Sequence, residues 1–291
     1  MTSFPSRSDF GSSGLQVSPL GLGSSYGLSG RDVERAFDNG VNLMFWGLRR
    51  RSDFARGIRA IAKKDRDGMV LCAQTYSRAA ALVAPSVESA LRTLKTSHLD
   101  VLCVAWWDEE PPERILDAAR VLREAGKIRT IMLSGHHRPN LPLFARVAGV
   151  DSIMVRYNAA HPGAEKDVFP HLPTEAGAQP GVLAFTATRW GTLLEPRLMP
   201  QDERRPRASD CYRFALSSPH VHATLCGVKD ASELDEALCA LERGPLTTDE
   251  RSWMLRVGAH VKERQNTQQR FLAAIDRVKN GLCANDIQPQ R

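Results

Sequence analysis

Residues 99–134 read LDVLCVAWWDEEPPERILDAARVLREAGKIRTIMLS, and this stretch holds two apolar runs on either side of a helix-like segment. The runs Leu99–Ala105 and Ile128–Ser134 are short and mostly apolar, which is typical of strands buried on both faces. Between them, Pro112–Glu124 has helical character, and Gly126 stands where a glycine commonly ends a helix. The stretch therefore predicts a strand–helix–strand unit with parallel strands.

The same unit repeats along the whole chain, because eight apolar runs each precede a helix-like segment. The eight runs are Leu20–Ser24, Val41–Phe45, Met69–Gln74, Leu99–Ala105, Ile128–Ser134, Ser152–Val155, Val182–Thr186 and Ala223–Gly227. An eightfold alternation is the signature of a (β/α)8 barrel, which needs about 250 residues. We therefore predict an α/β fold, a single-domain (β/α)8 TIM barrel with extra C-terminal helices. In such barrels the working residues follow the C-terminal ends of the strands.

Three segments are distinguished by composition. Residues 1–14 are rich in Ser and Gly and are predicted to be a flexible leader. Residues 15–283 are predicted to form the barrel with its C-terminal helical extension. Residues 284–291 are predicted to be a disordered tail.

The bulk composition excludes several partners. The net charge is +6, but no nucleic-acid-binding motif accompanies it, so the basic surface favours small anionic ligands rather than nucleic acid. No run approaches the ~18 apolar residues of a membrane span. The six cysteines contain no CxxC pair, which predicts reduced thiols, no metal site and a cytoplasmic location. A small-molecule substrate is expected, and the oligomeric state is left open.

Motifs in the order of the barrel strands resemble the aldo/keto reductases, over roughly Val17 to Arg243. They are Leu20-Gly-Leu-Gly-Ser24, Gly40-Val-Asn-Leu-Met44, Leu99-Asp-Val-Leu102, Gly126-Lys-Ile-Arg129 with Leu133-Ser134, Tyr157-Asn158, Gly181-Val-Leu-Ala-Phe185 with Gly191 and Leu193, and Cys226-Gly-Val-Lys229 with Glu233-Leu234. The resemblance implies an NAD(P)H-dependent oxidoreductase that acts on a small carbonyl substrate. It implies a nicotinamide cofactor across the barrel mouth, NADPH or else NADH.

The resemblance also implies which residues hold that cofactor. Ser134 would meet the carboxamide, and Phe185 would stack on the nicotinamide. Thr186, Thr188 and Gly191 would face the pyrophosphate. The adenosine end would be held by three residues near the last strand, namely Gly227, Lys229 and Glu233.

This chain departs from the family pattern at several of these places. Met154 stands where the family usually has a carboxamide-binding glutamine, and residues 186–190 replace the usual Ser-Pro-Leu-Gly pattern. Asp230 stands where a small polar residue is common, and a carboxylate there would repel a 2′-phosphate.

The family's catalytic tetrad is absent. Its aspartate, tyrosine, lysine and histidine positions are occupied here by Phe45, Arg50, Gln74 and Ala105. No register shift restores them, since the segments around these strands contain no residue of the required type. The usual proton relay is therefore missing.

Three residues are candidates for a replacement proton donor. Tyr26 and Tyr76 follow strands and carry a phenol, and His136 follows the fifth strand. A substrate pocket is predicted from Trp46, Arg50, Trp106 and Trp107, with Arg50 suited to an anionic group. For each, a plainer role stays open: a solvated loop for His136, rim packing for the tryptophans and an exposed helix start for the arginine.

Three functions remain open from the sequence. The first is an aldo/keto reductase-like NAD(P)H-dependent enzyme with a non-standard proton donor. The second is a catalytically inactive relative that binds cofactor or metabolite as a sensor or partner subunit. The third is a barrel that performs non-redox chemistry.

Overall fold

The structure is a computed structural model that describes residues 3–175 and 177–285, with side chains described through residue 267. Its strands are β1 (Ser8–Asp9), β2 (Gln16–Val17), β3 (Leu20–Gly23), β4 (Leu43–Trp46), β5 (Val70–Thr75), β6 (Leu99–Val104), β7 (Ile128–Ser134), β8 (Ser152–Arg156), β9 (Gly181–Phe185) and β10 (Ala223–Cys226). Strands β3 to β10 pair in parallel and close into a barrel in the order β10-β3-β4-β5-β6-β7-β8-β9. The predicted (β/α)8 barrel is confirmed.

Helices connect the strands and cover the outside of the barrel. They are α1 (Gly30–Asp38), α2 (Ser52–Asp65), α3 (Val83–Leu94), α4 (Glu113–Glu124), α5 (Leu141–Phe144), α6 (Ala164–Asp167), α7 (Ala208–Leu216), α8 (Ala231–Arg243) and α9 (Thr248–Asn285). Side-chain caps fix two of the starts: the Ser29 hydroxyl accepts the Asp32 N–H at 3.2 Å, and the Asp230 carboxylate accepts the Glu233 N–H at 2.9 Å.

The core has two layers, because side chains alternate between the faces of each strand. One cluster fills the barrel interior and includes Leu43, Phe45, Cys103 and Met154. The other lies between the strands and the surrounding helices. Parity along a strand therefore decides which residues face the mouth.

A short hairpin closes the floor of the barrel. Strand β1 pairs with β2 in antiparallel register, and Phe10, 1% exposed, belongs to the interior cluster. Gly181 makes room for it, since a Cβ at that position would lie 2.8 Å from the Phe10 ring. The structure thus differs from the flexible leader expected over residues 1–14: an aromatic anchor holds residues 8–10.

Helix α9 is fixed at its start by ion pairs and apolar contacts. The guanidinium of Arg213, 3% exposed, donates to Glu250 at 2.7 Å and 2.8 Å. An apolar stripe of Trp253, Val257 and Val261 is buried. The helix runs through Asn285, so residues 284 and 285 are helical where a disordered tail is expected. Positions 286–291, the rest of that predicted tail, lie outside the described residues.

Within residues 3–175 and 177–285, no helix combines the length and apolarity needed to cross a bilayer. Among the described side chains, which end at residue 267, no three of His, Cys, Asp or Glu gather closely enough to hold a metal ion. Among those side chains, the cysteines with free thiols are Cys72, Cys103, Cys211, Cys226 and Cys239.

Candidate active site

The mouth of the barrel is the candidate site, and strand parity fixes which residues line it. Because Met132, Met154 and Leu183 belong to the interior cluster, residues two positions further along the same strands also face inward. Tyr76 and Phe185 are partly buried and pack on that cluster. The inward residues nearest the strand ends are Phe45, Gln74, Ala105, Ser134, Arg156 and Phe185.

The four tetrad positions form an almost uncharged surface in this region. Phe45 and Gln74 are each 5% exposed, and Ala105 is fully buried. Arg50 is the only ionisable residue of the four. Its guanidinium donates to the Gln74 carbonyl at 2.7 Å and to the Gly47 carbonyl at 3.4 Å. Burial of part of this side chain lowers the pKa of Arg50, and the neighbouring Tyr76 opposes that shift.

Tyr76 lies beside these positions and carries an exchangeable proton. Its hydroxyl donates to the Gln74 side-chain oxygen at 2.6 Å, so the lysine position of the family contacts a phenol here through an amide. Burial raises the pKa of Tyr76 to about 12, Cys103 adds to the rise, and the charge of Arg50 opposes it. Of the three candidate donors, the structure brings this one into contact with a tetrad position.

Tyr26 lies on a different part of the rim. It is 47% exposed, and its ring lies over Gly227, where a Cβ would fall 2.2 Å from a ring carbon. This phenol therefore covers the segment after β10 rather than the tetrad positions. The close approach also explains why a residue without a side chain stands at 227.

An aromatic row runs across the mouth from the tetrad positions to Phe185. Ring centroids lie 4.9 Å apart for Tyr76 and Trp106, 5.7 Å for Trp106 and His136, and 6.4 Å for His136 and Phe185. Trp106 adopts a left-handed backbone with φ 59°. Its N–H donates to the Ser134 hydroxyl at 3.3 Å, and Arg78 donates to its carbonyl at 2.6 Å.

Ser134 and Asp108 hold this row in place. Ser134 is buried beneath Trp106, and its carbonyl also accepts the Trp107 N–H at 2.8 Å. Asp108 accepts the backbone N–H groups of His136 at 2.8 Å and of His137 at 3.0 Å, and these bonds lower the pKa of Asp108. The predicted carboxamide-binding serine thus already supports the aromatic loop.

Two of the predicted pocket tryptophans lie elsewhere. Trp46, 2% exposed, belongs to the outer core, because parity turns it away from the interior that its neighbour Phe45 faces. Trp107 is partly buried against the same outer core, with the Arg78 guanidinium 4.1 Å from its ring centroid. Trp106 and Arg50 remain at the mouth.

The segment after β9, predicted to face a pyrophosphate, has a strained backbone. Thr186, Arg189, Trp190 and Gly191 all have positive φ, between 52° and 84°. The Thr186 hydroxyl donates to the Phe185 carbonyl at 2.7 Å, and the Thr188 hydroxyl accepts the Gly191 N–H at 3.3 Å. Both hydroxyls are therefore used within the loop itself.

The segment after β10, predicted to hold the adenosine phosphate, is satisfied by its own residues. The Lys229 ammonium lies 2.7 Å from the Glu233 carboxylate, and the Lys229 N–H donates to the same side chain at 3.0 Å. Asp230 caps α8, and its hydrogen bonds to Glu233 and Ser232 lower the pKa of its carboxyl. Two carboxylates thus surround one cation there.

Sequence reasoning missed Arg156, Arg189 and His161. Arg156 ends β8 with inward parity, two residues after Met154, and is the register partner of Phe185. Arg189 belongs to the strained loop, and its Nη1 atom is buried with no hydrogen-bond partner among the described residues. Burial and the charge of Arg156 lower the pKa of Arg189. Parity alone could have pointed to Arg156, but the fold of the loop was needed to place Arg189.

Comparison with known proteins identifies relatives of this barrel. Residues 54–195 match the sequence model of the aldo/keto reductase family. The aldo-keto reductase YhdN of Bacillus subtilis (strain 168) is 32% identical over 92 residues, which cover 31% of this chain and 28% of that protein. The matched stretch therefore spans less than a third of that curated relative.

Solved structures with the same fold cover nearly the whole barrel. An aldo-keto reductase from Klebsiella pneumoniae in complex with NADPH is similar with a TM-score of 0.72 and 20% identity, over 89% of this chain and 96% of that one. The holo form of AKR11C1 from Bacillus halodurans gives 0.70 and 19%, over 86% and 95%. At these identities the likeness establishes the fold.

Proposed function

We propose that this chain is an aldo/keto reductase, an NAD(P)H-dependent reductase of small carbonyl compounds whose proton donor is Tyr76; the match of residues 54–195 to that family's model supports this proposal. The observation that carries this proposal is the hydrogen bond of 2.6 Å between the Tyr76 hydroxyl and Gln74, at the tetrad's lysine position. It puts a phenol at the mouth although the family's own tyrosine position holds Arg50.

The nicotinamide end of the mouth fits such a cofactor. Phe185 presents a partly buried ring at the strand end, beside the interior cluster that contains Met154. A nicotinamide stacked on Phe185 would supply the hydride. Support also comes from the similar Klebsiella pneumoniae structure, which is a complex with NADPH. Thr186, Thr188 and Gly191 remain proposed contacts of the pyrophosphate through their backbone.

The adenosine end fits a 2′-phosphate poorly. Lys229 is paired with Glu233, and Asp230 already occupies the N-terminus of α8. An added phosphate would meet two carboxylates, which repel it. The residues near Gly227 therefore favour NADH at least as well as NADPH.

Tyr76 and its neighbours would divide the work of proton transfer. The phenol donates a proton to the substrate oxygen as negative charge develops there, which is general acid catalysis. Arg50 offsets part of the effect of burial on the pKa of Tyr76. Trp106 and His136 line the route between Tyr76 and Phe185, so a flat acceptor would lie against this row.

A second candidate is a non-catalytic relative that binds cofactor or metabolite. The specific observation in its favour is the pKa of about 12 at Tyr76, which makes this phenol a weak acid in the ligand-free protein.

The cytoplasmic location and the domain limits at residues 15 and 283 stay predictions, the former supported by the free cysteines.

The test separates binding from turnover. Quenching of tryptophan fluorescence during titration with NADPH and NADH measures cofactor binding, and a panel of aldehydes and ketones then measures cofactor oxidation. We expect Tyr76→Phe to lower kcat by about 10²–10⁴-fold, the usual contribution of a general acid, without changing cofactor affinity.

Tyr26→Phe is the matched control and should leave turnover unchanged. If Tyr76→Phe turns over normally, Tyr76 is not the donor. Cofactor binding without turnover of any carbonyl supports the non-catalytic relative. The absence of binding by either cofactor rejects the reductase and the cofactor-binding form of the relative.

A further inference from the structure

The arginines around the end of β8 differ in whether they have a carboxylate partner. Arg138 lies 2.9 Å from Asp167, and Arg251 lies 2.6 Å from Glu165. Arg156 and Arg189 have neither an ion pair nor a side-chain hydrogen bond among residues 3–175 and 177–267. The fold thus neutralises two of these four cations and leaves two free.

The two free arginines belong to neighbouring strand ends. Arg156 is the register partner of Phe185, so its Cα lies beside the residue on which the nicotinamide would stack. Arg189 follows four residues later, in a loop tied to β8 because Asn158 donates to the Thr186 carbonyl at 2.8 Å. Phe185 and the loop that follows it, which carries Arg189, are therefore held in place relative to Arg156.

The surroundings of these arginines are cationic and partly shielded from water. Helix α9 crosses close by, since a Cβ at Gly258 would fall 2.2 Å from the Ala159 carbonyl oxygen. This approach brings Lys262 near His161. Burial, then the charges of Arg156 and Arg189, and then those of Lys262 and Arg138, lower the pKa of His161 to about 4.

We propose that Arg156 and Arg189 form a phosphate-binding subsite on the β8–β9 side of the mouth. A guanidinium presents a planar fork of N–H donors that matches phosphate oxygens, and two forks can share one diphosphate. The buried Nη1 of Arg189 lacks an acceptor that a phosphate oxygen would provide. Lys262, which lies near His161, adds a further positive charge to this side of the mouth.

The subsite deepens the proposed function, on which it rests for the identity of one possible ligand. Its phosphate could belong to the diphosphate of a nicotinamide cofactor or to a separate phosphorylated compound. Both sources present the same chemistry to the two arginines. The test therefore measures phosphate binding without requiring turnover.

Titration calorimetry with sodium pyrophosphate and with inorganic phosphate, at constant ionic strength, provides the main measurement. We expect Arg156→Gln and Arg189→Gln each to weaken pyrophosphate binding about tenfold or more, since each removes a charge-assisted hydrogen bond. Arg31→Gln, at an exposed position of α1, is the matched control and should bind as the unchanged protein does. Circular dichroism verifies that each variant is folded.

An NMR titration of the His161 ring, with and without pyrophosphate, provides a second measurement. If the two arginines had only a structural role, pyrophosphate would not change the pKa of His161. Bound phosphate should raise the pKa of His161, because an anion stabilises the imidazolium. Absence of pyrophosphate binding, or equal binding by the unchanged protein and both arginine variants, overturns the subsite. An unmoved His161 under saturating pyrophosphate also overturns it.

Competition identifies the source of the phosphate. If pyrophosphate displaces NADH or NADPH, the cofactor supplies it; if pyrophosphate binds alongside the cofactor, a separate phosphorylated ligand does. Both results support the subsite. Arginine-dependent pyrophosphate binding in a protein that binds neither cofactor would uphold the subsite while rejecting the proposed function.

Discussion

Two ends of the barrel mouth carry positive charge, and they differ in what that charge contacts. After β10, Lys229 is held by Glu233, and Asp230 caps the helix that follows. Between β8 and β9, Arg156 and Arg189 have no carboxylate partner among the described side chains. A cation near a strand end is therefore not by itself a binding site for an anion. A cation is available to a ligand only when the fold leaves it unpaired.

The largest expected effect comes from reversing charge at each end. Arg189→Glu should weaken pyrophosphate binding by about a hundredfold or more, because it removes a donor fork and adds a repelling carboxylate. Lys229→Glu should change it by less than about threefold, since exposed ion pairs contribute little. Calorimetry on both variants measures this. Equal losses at the two ends would contradict the comparison.

The charges of Arg156 and Arg189 lower the pKa of His161, so they should also affect how the stability of the protein depends on pH. The pKa of His161 is depressed from 6.5 to about 4, so the unfolded chain binds this proton more readily than the folded one. Above pH 6.5 His161 is neutral in both states and does not lower the stability of the fold. As the pH falls from 6.5 towards 4, protonation of His161 in the unfolded chain lowers the free energy of unfolding. After allowance for solvent screening, the change amounts to about 1 kcal/mol.

Denaturant unfolding at several pH values measures that change. His161→Gln should remove this part of the acid dependence, and Arg156→Gln should raise the pKa of His161 in an NMR titration. An unaltered His161 pKa in Arg156→Gln would mean that the two side chains do not interact.

Paired and unpaired arginines should also respond differently to neutralisation. Arg138→Gln removes the partner of Asp167 and should cost about 1 kcal/mol of stability. Arg189→Gln removes a buried donor without a partner and relieves repulsion with Arg156, so stability should be unchanged or slightly higher. Thermal unfolding in phosphate-free buffer compares the two. A larger loss for Arg189→Gln would show that this side chain has a structural partner.

The smallest expected effect concerns the end after β10. Asp230→Ser keeps a good helix cap while removing the carboxylate. Loss of that charge should improve NADPH binding relative to NADH by about threefold, because an exposed carboxylate repels a 2′-phosphate only weakly. Fluorescence titration with both cofactors measures the ratio. An unchanged ratio would place the 2′-phosphate away from Asp230.

The barrel strands were predictable because buried parallel strands are short, apolar runs. Ile128–Ser134 was predicted with the bounds that β7 has, and the other barrel strands agree within two residues at each end. The (β/α)8 barrel follows from that repetition alone. Helices α5 and α6 each end after four residues. Local sequence constrains such ends weakly.

The site was less predictable because it depends on parity and on loop conformation. The replaced tetrad could be identified from the family resemblance together with the residue types at its positions, as at Gln74 and Ala105. The sequence did not rank Tyr26 against Tyr76, since their neighbours, Gly227 and Gln74, depend on how the loops fold. The left-handed backbone at Trp106 likewise has no signal in a residue type that rarely adopts it.

The β1–β2 hairpin covers the N-terminal end of the barrel, opposite the mouth. The ring of Phe10 packs into that end of the interior cluster and lies against Gly181, the first residue of β9. Because side chains fill the barrel interior and the hairpin covers its N-terminal end, a ligand reaches the C-terminal strand ends from the mouth and leaves by the same side. A chain trimmed to begin at residue 15 would lose Phe10 and expose the N-terminal end of the interior cluster to water.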